Sequence, residues 1–244
     1  MHIKDAKMYR QILVMTTEFF SSRENPSNAQ RYARYFKDGY DAWGCTETEV
    51  QELAHKIQSE YPPLTIDQII ELGLLLFEHG KYEMGSLACK LIYQRRKELD
   101  HSSWSGMKRW FDFGVENWAH SDYLCSKVLP HFLIKNIVSF VDFEPWLSSS
   151  SRWTRRAAPV SMIKIKKDHD PDLMLEFIRP LMTDPERVVH QGTGWFLREL
   201  WKVHPSKVED YLYEHRNTAA RLIIQYATEK LSKQERLRFR KDKL

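Results

Sequence analysis

The sequence predicts an all-α protein built as a stack of helix pairs. Three observations lead there. Apolar residues recur at helical spacing along most of the chain, no segment shows convincing strand character, and helix breakers fall at short intervals. Segments beginning near Pro130, Pro171 and Pro205 each read as a short helix followed by a longer one. A repeat of about 35 to 45 residues favours a solenoid of helical hairpins over a bundle, and such a stack lines up the second helices of successive pairs on a concave surface.

Taken in order, the helical stretches include "EVQELAHKIQSEY", "IDQIIELGLLLFEHG" and "YEMGSLACKLIYQRRKEL" in the first half, then "LMLEFIRPLM" and "TAARLIIQYATEKL". Pro62 and Pro63, Gly80, Pro130, Pro145, Pro171, Pro185 and Pro205 lie near the expected boundaries. The result is roughly a dozen helices joined by short loops. The run "LSSSSRW" reads as a loop ending in a helix N-cap, because a serine hydroxyl accepts a hydrogen bond from the free amides of a first turn. No shift in composition marks a boundary, so residues 1–244 are expected to form a single domain, with a basic tail over about 232–244.

With 244 residues and 42% hydrophobic content, the chain can bury a continuous core without metals or disulfides. Cys45, Cys89 and Cys125 are an odd number, widely spaced and without a Cys-x-x-Cys pair, so neither a disulfide framework nor a zinc site is expected. The opening "MHIKDAKMYR" is charged, and no stretch approaches the roughly 20 apolar residues of a membrane span. A cytoplasmic protein with no membrane partner is expected. The net charge of +4 conceals dense basic groups in "SSSSRWTRRAAP", "SMIKIKKDHD" and "KQERLRFRKDKL". Such groups attract nucleic acid or anionic membrane, although a charge run taken alone is more often a solvated helix face.

Four places combine aromatic and charged residues beyond what a core helix needs. In "RYARYFKDGYDAWG", Tyr35 lies among arginines and aromatics near a helix end. In "ENWAHSDYL", Trp118 and Asp122 are four apart and share a helix face. "RWTRRAAP" places Arg155 and Arg156 just after the capping loop, and in "HQGTGWFLREL" Trp195 follows two glycines that permit close approach, with Arg198 three residues on. Each has a plainer reading. Trp118 alone is a core residue, Asp122 an ion-pair partner, Arg156 a surface or salt-bridge arginine, and Trp195 a packing residue whose glycines admit a neighbouring helix. His120 has no second histidine at metal-ligand spacing.

Together these stretches resemble a known family, the HEAT-like-repeat alkylpurine DNA glycosylases, or AlkD-type DNA alkylation repair proteins. The resemblance runs from "NAQRYARYFK" to "RLIIQYATEK". The family's tyrosine in an "ARYxK" context is similar to Tyr35, its Trp-x-x-x-Asp to Trp118 and Asp122, its arginine after a tryptophan and before two small residues to Arg156, and its "GWxLRE" to Trp195 and Arg198. Two departures stand out. Ala119 and then His120 follow Trp118 where the family often has a second acid, and "WGCTETEV" lacks the proline common in the family's first-repeat loop.

The resemblance implies a right-handed α-solenoid of HEAT-like repeats with a concave DNA-binding cleft, and a monomer acting on duplex DNA that carries alkylated bases. It implies Asp122, Trp118 and Trp195 as catalytic residues, Tyr35, Arg156 and Arg198 as DNA contacts, and no metal or cofactor. The chemistry suits one carboxylate. An N3- or N7-alkylated purine is already cationic and leaves as a neutral base without a general acid, while a fixed carboxylate stabilises the oxocarbenium-like sugar. Tryptophan faces add cation–π attraction of about 0.5 to 2 kcal/mol, and the resemblance implies excision without flipping the base. The alternatives are a non-catalytic protein that binds damaged or branched DNA and a helical-repeat scaffold.

Overall fold

The computed structural model describes residues 3–61 and 63–242, so Pro62 and the last two residues of the basic tail lie outside the described residues. Among the described residues there is no strand. The α-helices are α1 (Ile3–Ser21), α2 (Pro26–Ala33), α3 (Glu47–Glu60), α4 (Ile66–Glu78), α5 (Tyr82–Gln94), α6 (His101–Phe113), α7 (Trp118–Lys127), α8 (Leu129–Ile134), α9 (Glu144–Leu147), α10 (Arg152–Met162), α11 (Pro171–Ile178), α12 (Arg187–Trp201), α13 (Pro205–Glu214) and α14 (Arg221–Ala227). Short 3₁₀ turns connect some of them.

Local chemistry accounts for most starts. Thr46, Thr65 and Asp100 open α3, α4 and α6 with capping boxes. Ser151, at the end of the serine run, accepts from the Thr154 amide and caps α10. Pro171 and Pro205 occupy first turns, where a missing N–H costs nothing. Gly80 turns the chain between α4 and α5 at φ +86°, a conformation glycine adopts without strain.

The chain divides into two compact units, residues 1–124 and 125–244. The division falls inside α7, where no linker or change of composition announces it. In the first unit α4 packs on α5 and α6, and α3 on α5, around Leu53, Leu72, Leu87 and Trp110. The Trp110 indole N–H is satisfied by the Ile70 carbonyl at 2.9 Å. In the second unit α12 packs between α10 and α14 over Phe196, Leu197, Leu200 and Ile223.

The last helix pair reverses the expected order, since the ten residues of α13 precede the seven of α14. The Ala220 amide bonds to the Met182 carbonyl at 2.8 Å, so α14 starts late, and at its other end the Thr228 hydroxyl folds back onto the Ile224 carbonyl at 2.7 Å. The described part of the basic tail is anchored. Phe239 is buried against Trp201, Arg238 pairs with Glu209, and Arg216 holds Asp242 at 2.8 Å.

Candidate functional site

In the first unit, the start of α7 is built from polar contacts. Asn117 Oδ1 accepts the His120 amide at 2.9 Å and the Asn117 carbonyl accepts the Ser121 amide at 3.2 Å. The His120 ring is buried, stacked on Tyr82 at 4.7 Å. Gly85 makes room for it, since a Cβ there would lie 2.4 Å from His120 Cε1. Nδ1 lies 2.9 Å from Asn117 Nδ2, and Nε2 lies 3.1 Å from both the Tyr82 carbonyl and the Ser86 hydroxyl. With Asn117 Oδ1 taken by a backbone amide, its Nδ2 must donate, which assigns the neutral imidazole with the proton on Nε2. Burial pushes the His120 pKa down to about 4, opposed by the Tyr82 carbonyl. His120 thus orders the helix that carries the Trp-x-x-x-Asp pair, and among the described residues no group of three or more His, Cys, Asp or Glu is arranged to hold a metal.

Trp118 is not a core residue. It is 42% exposed, its indole Nε1 donates to the Tyr35 carbonyl at 3.1 Å, and its ring stacks on Phe36 at 5.4 Å. Phe36 is itself backed by Tyr40 at 4.5 Å and Tyr82 at 5.4 Å. The Tyr35 side chain is exposed, and its hydroxyl accepts from Arg34 at 2.8 Å. Two of the expected residues, 83 positions apart, therefore meet. Asp122, half-buried, follows one turn after Trp118 on the same helix face.

The loop that lacks the family's proline is held by other means. The Glu83 carboxylate, fully buried, accepts the amides of Trp43, Gly44 and Cys45 at 3.1, 2.7 and 3.0 Å. Gly44, at φ +85°, lies against α2's start, where a Cβ would come within 2.1 Å of the Asn25 carbonyl.

In the second unit, both glycines before Trp195 admit neighbouring helices. A Cβ at Gly192 would lie 2.9 Å from Arg156 Cγ on α10, and one at Gly194 would lie 2.5 Å from Tyr226 Cβ on α14. Trp195 itself is half-buried and lines a cleft of about 380 Å³ with Lys164, Lys166, Lys167 and Glu199. Lys164 and Lys167 are exposed, while Lys166 lies 3.5 Å from Glu199. Burial raises the Glu199 pKa, but Lys202, Lys166 and Arg198 outweigh it and hold the carboxyl below its ordinary value. The cleft is aromatic on one wall and net positive. The basic stretch "SMIKIKKDHD" was visible in the sequence, yet nothing in spacing alone tied its lysines to Trp195.

The arginines are more covered than expected. Arg156 is 6% exposed, and its Nη1 donates to the Val188 carbonyl at 2.7 Å, joining α10 to the start of α12. Arg155 forms a buried pair with Asp184, with contacts of 2.6 and 3.2 Å, and reaches the Ser149 carbonyl at 2.7 Å. Arg198 pairs with Glu229 at 2.7 Å. No helix among the described residues is long and apolar enough to cross a membrane.

A family model described as DNA alkylation repair enzyme matches residues 16–231. No curated protein matches the chain. Among solved structures, a predicted DNA alkylation repair enzyme from Enterococcus faecalis is 20% identical, with a TM-score of 0.73 over 86% of this chain and 97% of its own. AlkD2 from Streptococcus mutans is 19% identical, with a TM-score of 0.55 over 84% and 97%. The protein smu.31 from Streptococcus mutans UA159 is 20% identical, with a TM-score of 0.56 over 76% and 92%. At these identities the likeness carries the fold, and the all-α helical-repeat class expected from the sequence is the one these structures share.

Proposed function

The chain belongs to the DNA alkylation repair enzyme family, and from that premise we propose that it is a monofunctional DNA glycosylase that releases cationic N3- and N7-alkylpurines from duplex DNA. The observation that carries the reading is Trp118, an exposed indole fixed by the Tyr35 carbonyl and Phe36, with a carboxylate one turn further along its helix. A core tryptophan needs no such exposure, and a purely DNA-binding surface gains nothing from a carboxylate facing phosphates.

In this reading the bond from C1′ to the purine nitrogen breaks heterolytically. The departing base keeps the electron pair and becomes neutral, and the sugar takes on oxocarbenium character. Asp122 stabilises that charge and orients the water, whose oxygen bonds to C1′ and whose proton is lost to solvent, leaving an abasic site. Trp118 and Trp195 hold the nucleotide by its sugar and backbone and add cation–π attraction as the charge moves onto the ribose. The base is not flipped into a pocket. Tyr35 and Arg198 contact the duplex, with Lys164 and Lys167 adding charge beside Trp195, while Arg156, buried on the Val188 carbonyl, positions the start of α12 beneath that surface. No metal, cofactor or lysine Schiff base takes part, and the protein acts as a cytoplasmic monomer.

The test is base release from a duplex carrying one N7-methylguanine under single-turnover conditions. The reading expects free base and an intact strand with an abasic site. Tight binding to the duplex without release would leave a non-catalytic binder of damaged DNA in its place.

A further inference from the structure

We propose that α2 is a binding element for an unpaired nucleic-acid strand, with Tyr32 and Tyr35 stacking on its bases and Arg31 and Arg34 engaging its phosphates. This goes beyond the excision reading and does not depend on base release. α2 places no residue in the core. A helix that is polar all round gains no stability from burial, so its position must come from elsewhere. Here it comes from the ends. The Asn25 side chain accepts the Asn28 amide at 3.0 Å, the Asn25 amide donates to the Trp43 carbonyl at 2.7 Å, and Asn28 Nδ2 donates to the Gly44 carbonyl at 3.3 Å. Beyond the last turn, the Tyr35 carbonyl accepts from Trp118. The fold thus fixes the backbone of this helix and leaves its side chains to solvent.

Those side chains repeat one couple. In "RYARY", Arg31 Nη2 donates to the Tyr32 hydroxyl at 3.0 Å and Arg34 Nη2 to the Tyr35 hydroxyl at 2.8 Å, each guanidinium carbon lying 4.8 Å from the ring centroid. Tyr32 is 40% exposed and Tyr35 53%, and neither ring stacks on another aromatic among the described residues. α2 carries no acid, and neither arginine has a carboxylate partner among the described residues. Arg109 and Arg179, also exposed, are by contrast neutralised by Glu71 and Glu176. From Arg31 to Arg34 the helix rises about 4.5 Å, close to the roughly 3.4 Å per nucleotide of a stacked strand. A duplex offers phosphates to the arginines but keeps its bases paired, which leaves the ring faces unused. An unpaired strand engages both, since base stacking on aromatic rings and charge contact with the backbone act together.

The experiment measures fluorescence anisotropy of a labelled oligothymidylate with the full-length protein, beside a strand of equal length whose sugars carry no bases and a blunt duplex of that length. Wild type should bind the oligothymidylate about tenfold or more tighter than the baseless strand, which cannot stack. Tyr32→Leu should weaken oligothymidylate binding by about fivefold and leave the baseless strand unchanged, and Tyr32→Trp should restore it. Arg31→Ala should weaken binding of both strands and reduce the slope of log affinity against log salt by about 0.7. Because α2 has no buried residue, the thermal midpoints of these variants should match wild type, which separates lost binding from lost folding. Equal affinity for the two strands, or unchanged oligothymidylate binding by Tyr32→Leu, overturns the proposal. Preference for the duplex with loss only in Arg31→Ala also overturns it and assigns α2 to duplex phosphates. No base release is read, so either result leaves the excision reading to its own test.

Discussion

The Trp118 indole N–H donates to the carbonyl of Tyr35 at 3.1 Å, while its ring stacks on Phe36. One residue of α7 is thereby tied to the loop after α2, and the two exposed aromatics are held as a unit. Trp118→Phe keeps a ring over Phe36 but deletes the donor, freeing the Tyr35 carbonyl to drift. Excision is expected to fall by about tenfold, the cost of about 1 kcal/mol for one hydrogen bond plus lost positioning. Trp118→Ala should fall further. Because Trp118 is exposed, the thermal midpoint of both variants should move little, and a large loss of stability with unchanged excision would contradict the assignment.

Salt dependence separates the basic residues that face solvent from those the fold uses. Lys164→Ala and Lys167→Ala, beside Trp195, should each weaken DNA binding and reduce the slope of log affinity against log salt by about 0.9. Arg155→Ala should instead unfold the protein more readily, by about 3 to 5 kcal/mol, because it strands Asp184 in a buried pair. Binding measurements across salt concentrations, with denaturation curves for the same variants, check both statements.

His120 predicts how stability responds to acid. Its folded pKa, about 4, lies below the ordinary histidine value of 6.5 because burial disfavours the charged ring. The unfolded chain therefore binds this proton first as pH falls. Stability contributed by the neutral ring is complete above about pH 6.5 and is lost progressively towards pH 4, by about 3 kcal/mol in all. His120→Gln should flatten that part of the curve of unfolding free energy against pH. An equally steep curve in the variant would place the acid sensitivity elsewhere.

The two glycines of α12 should differ. At Gly194 an added methyl meets the Ile223 carbonyl at 2.9 Å as well as Tyr226 Cβ, so α14 would have to shift, and Gly194→Ala is expected to cost about 1 to 3 kcal/mol. At Gly192 the nearest atom is Arg156 Cγ, part of a longer side chain, and the gain in helix propensity of about 1 kcal/mol offsets some of the clash. Gly192→Ala should therefore be the milder change, as chemical denaturation of both variants would show.

Much of this was visible in the sequence for identifiable reasons. Helical periodicity, capping residues such as Thr46, Thr65 and Ser151, and proline at first turns are local, and local chemistry survives into the fold. What depends on distant partners was not visible. Spacing puts Trp118 and Asp122 on one face but cannot say that Phe36 and the Tyr35 carbonyl hold the indole at the surface. It shows Arg155 and Arg156 as adjacent cations, but not that Asp184 and the Val188 carbonyl engage them. The glycines before Trp195 suggested close approach, and only the positions of α10 and α14 identify what approaches. The boundary inside α7 left no trace because a continuous helix crosses it.

The central claim is that Asp122 is the catalytic carboxylate, and it is tested most directly by single-turnover release of N7-methylguanine from duplex DNA by wild type and Asp122→Asn side by side. The account predicts that the variant releases no base above the spontaneous rate while binding the duplex as tightly or more tightly, since a charge that repels phosphate has been removed. Release at the wild-type rate by Asp122→Asn would contradict it.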